Sequence, residues 1–297
     1  GTASTVTVTA YDTEGNVKTD YIGTITFTSD DTNADLPNIY TFTGVNNGTQ
    51  TLAITMNTIG EKYVDAEDTV DNINDSQTAI TVEPGALASF VTEGIDDPCT
   101  AGTASTVTVT AYDGEGNVKT NYVGTITFTS NDPSATLPNI YTFAGANNGT
   151  QTLAITMRTT GERWVNADDV AAGIDDSQTD ITVNPGALAS FVTEGIADPC
   201  TAGTASTVTV TAYDGEGNVK TDYIGTITFT SDDTNADLPD IYTFAGVNNG
   251  TQTLAITMNT TGEKYVDADD TVAGINDDQT AITVNPGALA SFVTEDI

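Results

Sequence analysis

The sequence contains no histidine at all, which removes the commonest general base and the commonest metal ligand. Metal chemistry built on imidazole is thereby excluded. Basic residues are almost as scarce: 7 Lys and Arg stand against 42 Asp and Glu, for a net charge of −35. Nucleic acid is excluded as a partner, because its phosphates need Lys and Arg to neutralise them. Anionic membrane surfaces are excluded on the same ground. No apolar run approaches the ~20 residues that a membrane-spanning helix needs, so membrane insertion is not expected. No signal peptide is visible, and Met does not start the chain. Only two cysteines occur, Cys99 and Cys200, in equivalent contexts 101 residues apart. A disulfide requires Cα atoms within about 7 Å, which equivalent positions of successive units in a row do not reach. They are expected to be buried free thiols, or to bridge to something outside the chain.

What is present is repetition. Thr-Val-Thr-Val-Thr-Ala-Tyr-Asp starts at Thr5, Thr106 and Thr207, and Pro-Gly-Ala-Leu-Ala-Ser-Phe-Val at Pro84, Pro185 and Pro286. Both series step by 101 residues without drift, so each unit is large enough to bury its own core. Gly1 matches Gly102 and Gly203 inside the repeat, which reads as a processed end or a cut through a longer array.

Within one unit the dominant period is two. In the second, Val107, Val109 and Ala111 face one way and threonines the other, a half-buried strand of β-branched residues. Similar strands are expected around Gly124–Ser130, Tyr141–Phe143, Thr150–Met157, Glu162–Ala167, Gln178–Val183 and Ala187–Thr193. The Asn-Gly at Asn148-Gly149 predicts a hairpin between the second and third of these. No helical period is sustained. Seven or so short strands per unit predict an all-β chain of three tandem Greek-key β-sandwiches. The break between units is only the Pro-Gly pair, which predicts a stiff rod.

The segments Thr-Val-Thr-Ala-Tyr-Asp-Gly-Glu-Gly-Asn-Val (108–118), Gly-Thr-Ile-Thr-Phe-Thr-Ser (124–130) and Gly-Thr-Gln-Thr-Leu-Ala-Ile-Thr (149–156) resemble the bacterial immunoglobulin-like repeats of invasin- and intimin-type surface proteins. The resemblance covers essentially the whole chain and extends to tandem modules of archaeal surface proteins. It implies immunoglobulin-like modules that act as spacers or fibre bodies at a cell surface or outside the cell. It implies no particular ligand.

Cutting the chain before each Pro-Gly gives modules at 1–83, 84–184 and 185–285, with a remaining segment 286–297. The strand after Pro-Gly opens the module that follows it. The first module therefore lacks an opening strand in cis, and 286–297 is an orphan carrying Leu289, Phe292 and Val293. An incomplete sheet edge is a template for pairing. Strand donation to the next molecule or module, copy to copy and head to tail, is the expected consequence.

Three clusters invite chemistry. The turns with Asp12, Glu14 and Asn16, with Asp113, Glu115 and Asn117, and with Asp214, Glu216 and Asn218 offer oxygen ligands, or cap their own backbone. A denser acidic set is the candidate calcium site: Asp65, Glu67 and Asp68; Asp168 and Asp169; Asp267, Asp269 and Asp270. Its spacing is not that of an EF-hand loop, and a solvated acidic loop is the alternative. Asn-Gly-Thr at Asn47, Asn148 and Asn249 is a glycosylation sequon in every unit, with further sequons at Asn74 and Asn259. Tyr63, Trp164 and Tyr265 share one position of one strand; they are expected to fill the core, with sugar stacking as the alternative. No nucleophile–base pair is apparent, so no enzyme is expected. The leading expectation is a structural module of an extracellular filament or stalk. Its rivals are a calcium-dependent or carbohydrate-binding adhesin and the accessory stalk of a surface enzyme.

Overall fold

The computed structural model describes residues 1–293. The first module contributes β1 (Ala3–Thr9), β2 (Thr24–Ser29), β3 (Tyr40–Thr41), β4 (Thr49–Thr55), β5 (Gly60–Asp68) and β6 (Ile73–Val82). The second contributes β7 (Leu87–Glu93), β8 (Cys99–Thr100), β9 (Ala104–Asp113), β10 (Thr125–Ser130), β11 (Tyr141–Thr142), β12 (Thr150–Thr156), β13 (Gly161–Asp169) and β14 (Ile174–Asn184). The third repeats the second as β15 (Leu188–Glu194), β16 (Cys200–Thr201), β17 (Ala205–Asp214), β18 (Thr226–Ser231), β19 (Ile241–Thr243), β20 (Thr251–Thr257), β21 (Gly262–Asp270) and β22 (Ile275–Asn285). Among the described residues helix is confined to one short 3-10 turn per module, such as Gly145–Asn147.

In the second module one sheet has the order β7-β9-β12 and the other β11-β10-β13-β14-β8. The opening segment serves both. Its first part pairs antiparallel with β9, and after a bend β8 runs parallel to β14. This is an immunoglobulin-like sandwich, with the opening segment switching sheets. Alternation explains the core. Val107, Val109 and Ala111 of β9, Ile126, Val165, Ala167, Ile181 and Val183 are essentially fully buried between the sheets.

The expected Asn-Gly hairpin is not formed. β11 and β12 lie in different sheets, and the segment between them crosses from one to the other. Phe143 points into the core, the short 3-10 turn follows, and Asn148 takes the left-handed conformation at φ 51°. The Gly that follows has backbone to meet: a Cβ on Gly149 would lie 2.5 Å from the Lys119 carbonyl oxygen. Asn-Gly is demanded here by a crossover, not by a two-residue hairpin.

The first module has the four-stranded sheet β3-β2-β5-β6, but its other sheet is only β1-β4. Among the described residues no strand pairs with the open edge of β1. Of the expected donor segment 286–297, Pro286–Val293 forms no strand, and residues 294–297 lie outside the described part. Leu289, Phe292 and Val293 are exposed, Phe292 to 86%, whereas its counterpart Phe191 is 3% exposed.

Candidate functional site: the module junctions

An Asp-x-Glu-Gly-Asn turn follows the β9-type strand in each module, with Thr13 at the second position in the first module and Gly in the other two, and the latter two turns form the contacts between modules. Asp113 sits at the last position of β9, where the strand period turns it inward. Its Oδ1 accepts from the main-chain N–H of Glu115 (3.0 Å) and Asn117 (2.8 Å), which closes the turn. Its Oδ2 accepts from the N–H of Gly85 at 2.8 Å, the glycine of the preceding Pro-Gly. Asn117, held against Asp113 by its own amide, donates from Nδ2 to the carbonyl of Asn57 in the first module at 2.9 Å. One carboxylate thus fixes the linker, and one amide fixes the previous module's loop.

The second junction repeats the arrangement. Gly186 N–H donates to Asp214 at 2.8 Å, and Asn218 Nδ2 donates to the Arg158 carbonyl at 2.8 Å. Thr160 N–H adds a bond to Asn218 Oδ1 at 3.2 Å. The Arg158 guanidinium also reaches the Glu216 carboxylate, at 2.8 and 2.7 Å. Gly102 makes room for this glutamate, since a Cβ there would stand 2.6 Å from Glu216 Oε1.

The receiving loop is built by a second buried carboxylate. Asp132 Oδ2 accepts from the N–H groups of Arg158 (2.7 Å) and Thr159 (3.0 Å). Asp31 and Asp233 do the same for Asn57–Thr58 and Asn259–Thr260. Burial pushes Asp113, Asp132 and Asp214 upward. The N–H donors around each outweigh it, and all three are held below the usual carboxylate range.

The candidate calcium residues are divided by the strand period. Asp68, Asp169 and Asp270 point inward. Each accepts a tyrosine hydroxyl: Tyr21 to Asp68 at 2.6 Å, Tyr122 to Asp169 at 2.7 Å, Tyr223 to Asp270 at 2.7 Å. Each also caps the hairpin that follows, as Asp169 does for Ala171 and Ala172. Asp65, Glu67, Asp168, Asp267 and Asp269 lie on the outward face of the same strands. Asp65 there accepts from Asn74 and Ser76, and Asp267 from Asn276. Among the described residues no three acidic side chains converge as a cation site would require. Two further aspartates hold the sheets together: Asp176 accepts from Thr92 N–H, and Asp277 from Thr193 N–H.

The aromatic expectation is corrected. Tyr63, Trp164 and Tyr265 do not fill the core: two are more than a third exposed and Trp164 is half-buried. A β-bulge falls at this point, with Arg163 opposite Ile181 but Val165 opposite Gln178. The inward position goes to Val165, and Trp164 floors a shallow outer groove with Thr129, Asn166, Asp175, Ser177 and Thr179. The bulge is marked by Asp180 in the left-handed region, φ 58°, which no sequence motif announces.

Asn47, Asn148 and Asn249 are exposed at the 3-10 turns, all with left-handed φ near 50°. Cys99 and Cys200 are buried and unpaired within the chain, and burial raises both thiols. The junction role of Asp113, Asn117 and Arg158 was missed at the sequence level, where the turn offered only self-capping or metal. Its one legible signal is that the turn recurs in strict phase with Pro-Gly.

No family model matches the chain, and no curated protein does. Among solved structures it is similar to the Escherichia coli adhesin FdeC: 21% identity over 95% of this chain and 92% of that one, with a TM-score of 0.45. It is also similar to invasin, a bacterial integrin-binding protein, at 17% identity over 96% of this chain and 60% of invasin, TM-score 0.37. The surface layer protein SbsC, domains 4–9, aligns at 17% identity over 96% of this chain and 42% of that one, TM-score 0.28.

Proposed function

We propose that this chain is a structural rod of an extracellular filament or cell-surface stalk, whose modules join head to tail, and not a catalyst. The observation that carries this reading is the opening strand of the second and third modules. The segment after Pro-Gly leaves one module and completes the sheets of the next, while its glycine N–H is held by the aspartate of the receiving turn. Such a linker has no slack, and every module repeats it in one orientation. The buried aspartates, among them Asp113, Asp132 and Asp169, are committed to hydrogen bonds that build loops and junctions. The first module presents the same open edge, and the exposed 286–293 segment carries the same apolar residues that fill it elsewhere. Head-to-tail assembly by β-strand addition follows. The test is sedimentation of the intact chain and of a chain lacking Pro286–Ile297. Concentration-dependent linear oligomers are expected of the intact chain only. Equal assembly of both would sink strand donation, and monomers at every concentration would sink assembly.

A second reading, carbohydrate binding, is favoured by the outward Trp164 groove. A half-buried indole beside Asn166, Asp175 and Ser177 is the combination of flat apolar face and polar rim that stacks a sugar ring. Glycan binding lost in Trp164→Ala would support it; a blank glycan array would remove it. Glycans attached at Asn47, Asn148 and Asn249 are a separate proposal, which mass spectrometry of the native protein tests. Calcium is retained for the outward carboxylates alone, acting as diffuse charge neutralisation. Calcium and magnesium should then stabilise equally at equal concentration, and a calcium-specific rise in melting temperature would show a site instead.

A further inference from the structure

We infer that a second copy of this chain docks on the first module through a polar clasp, in which the Asp12–Asn16 turn grips Gly287 and the loop at Asn259 of the other copy. This rests on the head-to-tail reading and adds the residues that set its register.

The argument is the translation of two observed junctions by one repeat. The turn that grips Gly85 and Asn57 in the first junction, and Gly186 and Arg158 in the second, has its counterpart in Asp12–Asn16. The next glycine and loop in phase are Gly287 and Asn259. Both halves stand preformed. Asp12 already accepts from Glu14 N–H (3.1 Å), Asn16 N–H (2.8 Å) and the Asn16 amide (3.1 Å). Among the described residues it lacks only the glycine N–H, and Asn16 lacks only the loop carbonyl. At the other end Asp233 shapes Asn259–Thr260 as Asp132 shapes Arg158–Thr159. Gly287 leaves its module at the same place as Gly186: a Cβ would meet the Ala202 carbonyl oxygen at 2.9 Å, against 3.1 Å from the Ala101 oxygen at Gly186. The turn and the loop dock preformed, so the ordering cost of docking falls on the added strand.

The two internal junctions differ in an ion pair, and that difference supplies the test. The second carries the Arg158–Glu216 pair; the first has Asn57 facing Glu115. In phase, a copy-to-copy junction sets Asn259 against Glu14 of the second copy. Asn259→Arg therefore installs the missing cation. By the usual strength of a half-exposed ion pair, it should tighten association about 2- to 5-fold at low salt, with the gain fading at high salt. Adding Glu14→Gln should abolish the gain, which separates the pair from general relief of the −35 charge. Asp12→Asn should weaken association roughly tenfold, through loss of the charged acceptor for Gly287 N–H, while leaving the melting of the monomer unchanged. All variants are compared by sedimentation equilibrium of the full chain. A gain in Asn259→Arg that survives Glu14→Gln, or Asp12→Asn assembling as tightly as the parent, overturns the clasp and leaves head-to-tail assembly standing. A parent chain that never associates overturns both.

Discussion

The first and second modules carry nearly the same residues in different company. Tyr11 and Tyr112 are the same residue of the same motif, yet Tyr11 is 62% exposed while Tyr112 is half-buried. Asp12 is exposed and Asp113 is buried. Ile73 is exposed, whereas Ile174 packs on the core. Val82 is half-buried while Val183 is buried. Each difference lies where β7 or β8 covers the second module and where nothing described covers the first. Each complete sandwich therefore depends on its opening segment, which supplies one edge strand to each of the two sheets. Burying a Phe or Leu contributes about 1.5–3 kcal/mol, so this strand is a substantial part of each module's stability.

The largest expected effect breaks that comparison at the strand itself. Phe191→Ala should destabilise the third module by about 3–5 kcal/mol through transfer loss and cavity. The same change at its counterpart, Phe292→Ala, should leave the unassembled chain unaltered in urea unfolding. Equal effects at both sites would mean that the 286–297 segment is already packed.

The aspartates come next. Asp113→Ala strands the Gly85 N–H and opens the turn, at a cost of about 2–3 kcal/mol, and should add bending between the first two modules in small-angle scattering. Asp12→Ala, in the exposed copy, should change neither module packing nor scattering of the monomer. A rod as stiff in Asp113→Ala as in the parent would show that the strand alone sets the angle.

Acid sharpens the same contrast. Asp113 and Asp214 are held below their ordinary value of 3.8 despite burial, by the glycine and turn N–H groups around them. A depressed carboxylate favours the folded form while ionised, so its contribution is whole above pH 3.8 and is lost as pH falls below that value. Bending between modules should therefore rise only in that acid range. A transition centred near neutrality would point to some other group.

The smallest effect distinguishes the two internal junctions. Arg158→Ala should loosen the second by about 1 kcal/mol at most, in a salt-dependent way, because the pair is only half-buried. The first junction, which has no such pair, should be indifferent to salt by this route.

Strand positions were legible because alternation of β-branched residues and threonines is local: Val107, Val109 and Ala111 face inward as read. The opening strand was equally legible from Pro-Gly and its apolar residues. The Asn148-Gly149 segment was misread, since a left-handed Asn-Gly serves a crossover as well as a hairpin, and only strand partnership tells them apart. Trp164 was misread because its shared place in the repeat suggested core, whereas plain alternation along β13 turns Val165 and Ala167 inward and Trp164 outward with Asn166.

By itself, the sequence determined the all-β class and the 101-residue unit. These depend on period, spacing and the count of apolar residues, which need no knowledge of neighbours. Tertiary structure alone decided that the acidic motifs act as caps and clasps. Whether a carboxylate meets water, a cation or a main-chain N–H depends on contacts such as Asp113 to Gly85, between residues far apart in the chain. A strand period can turn Asp169 inward, but only the folded sandwich supplies the tyrosine that receives it.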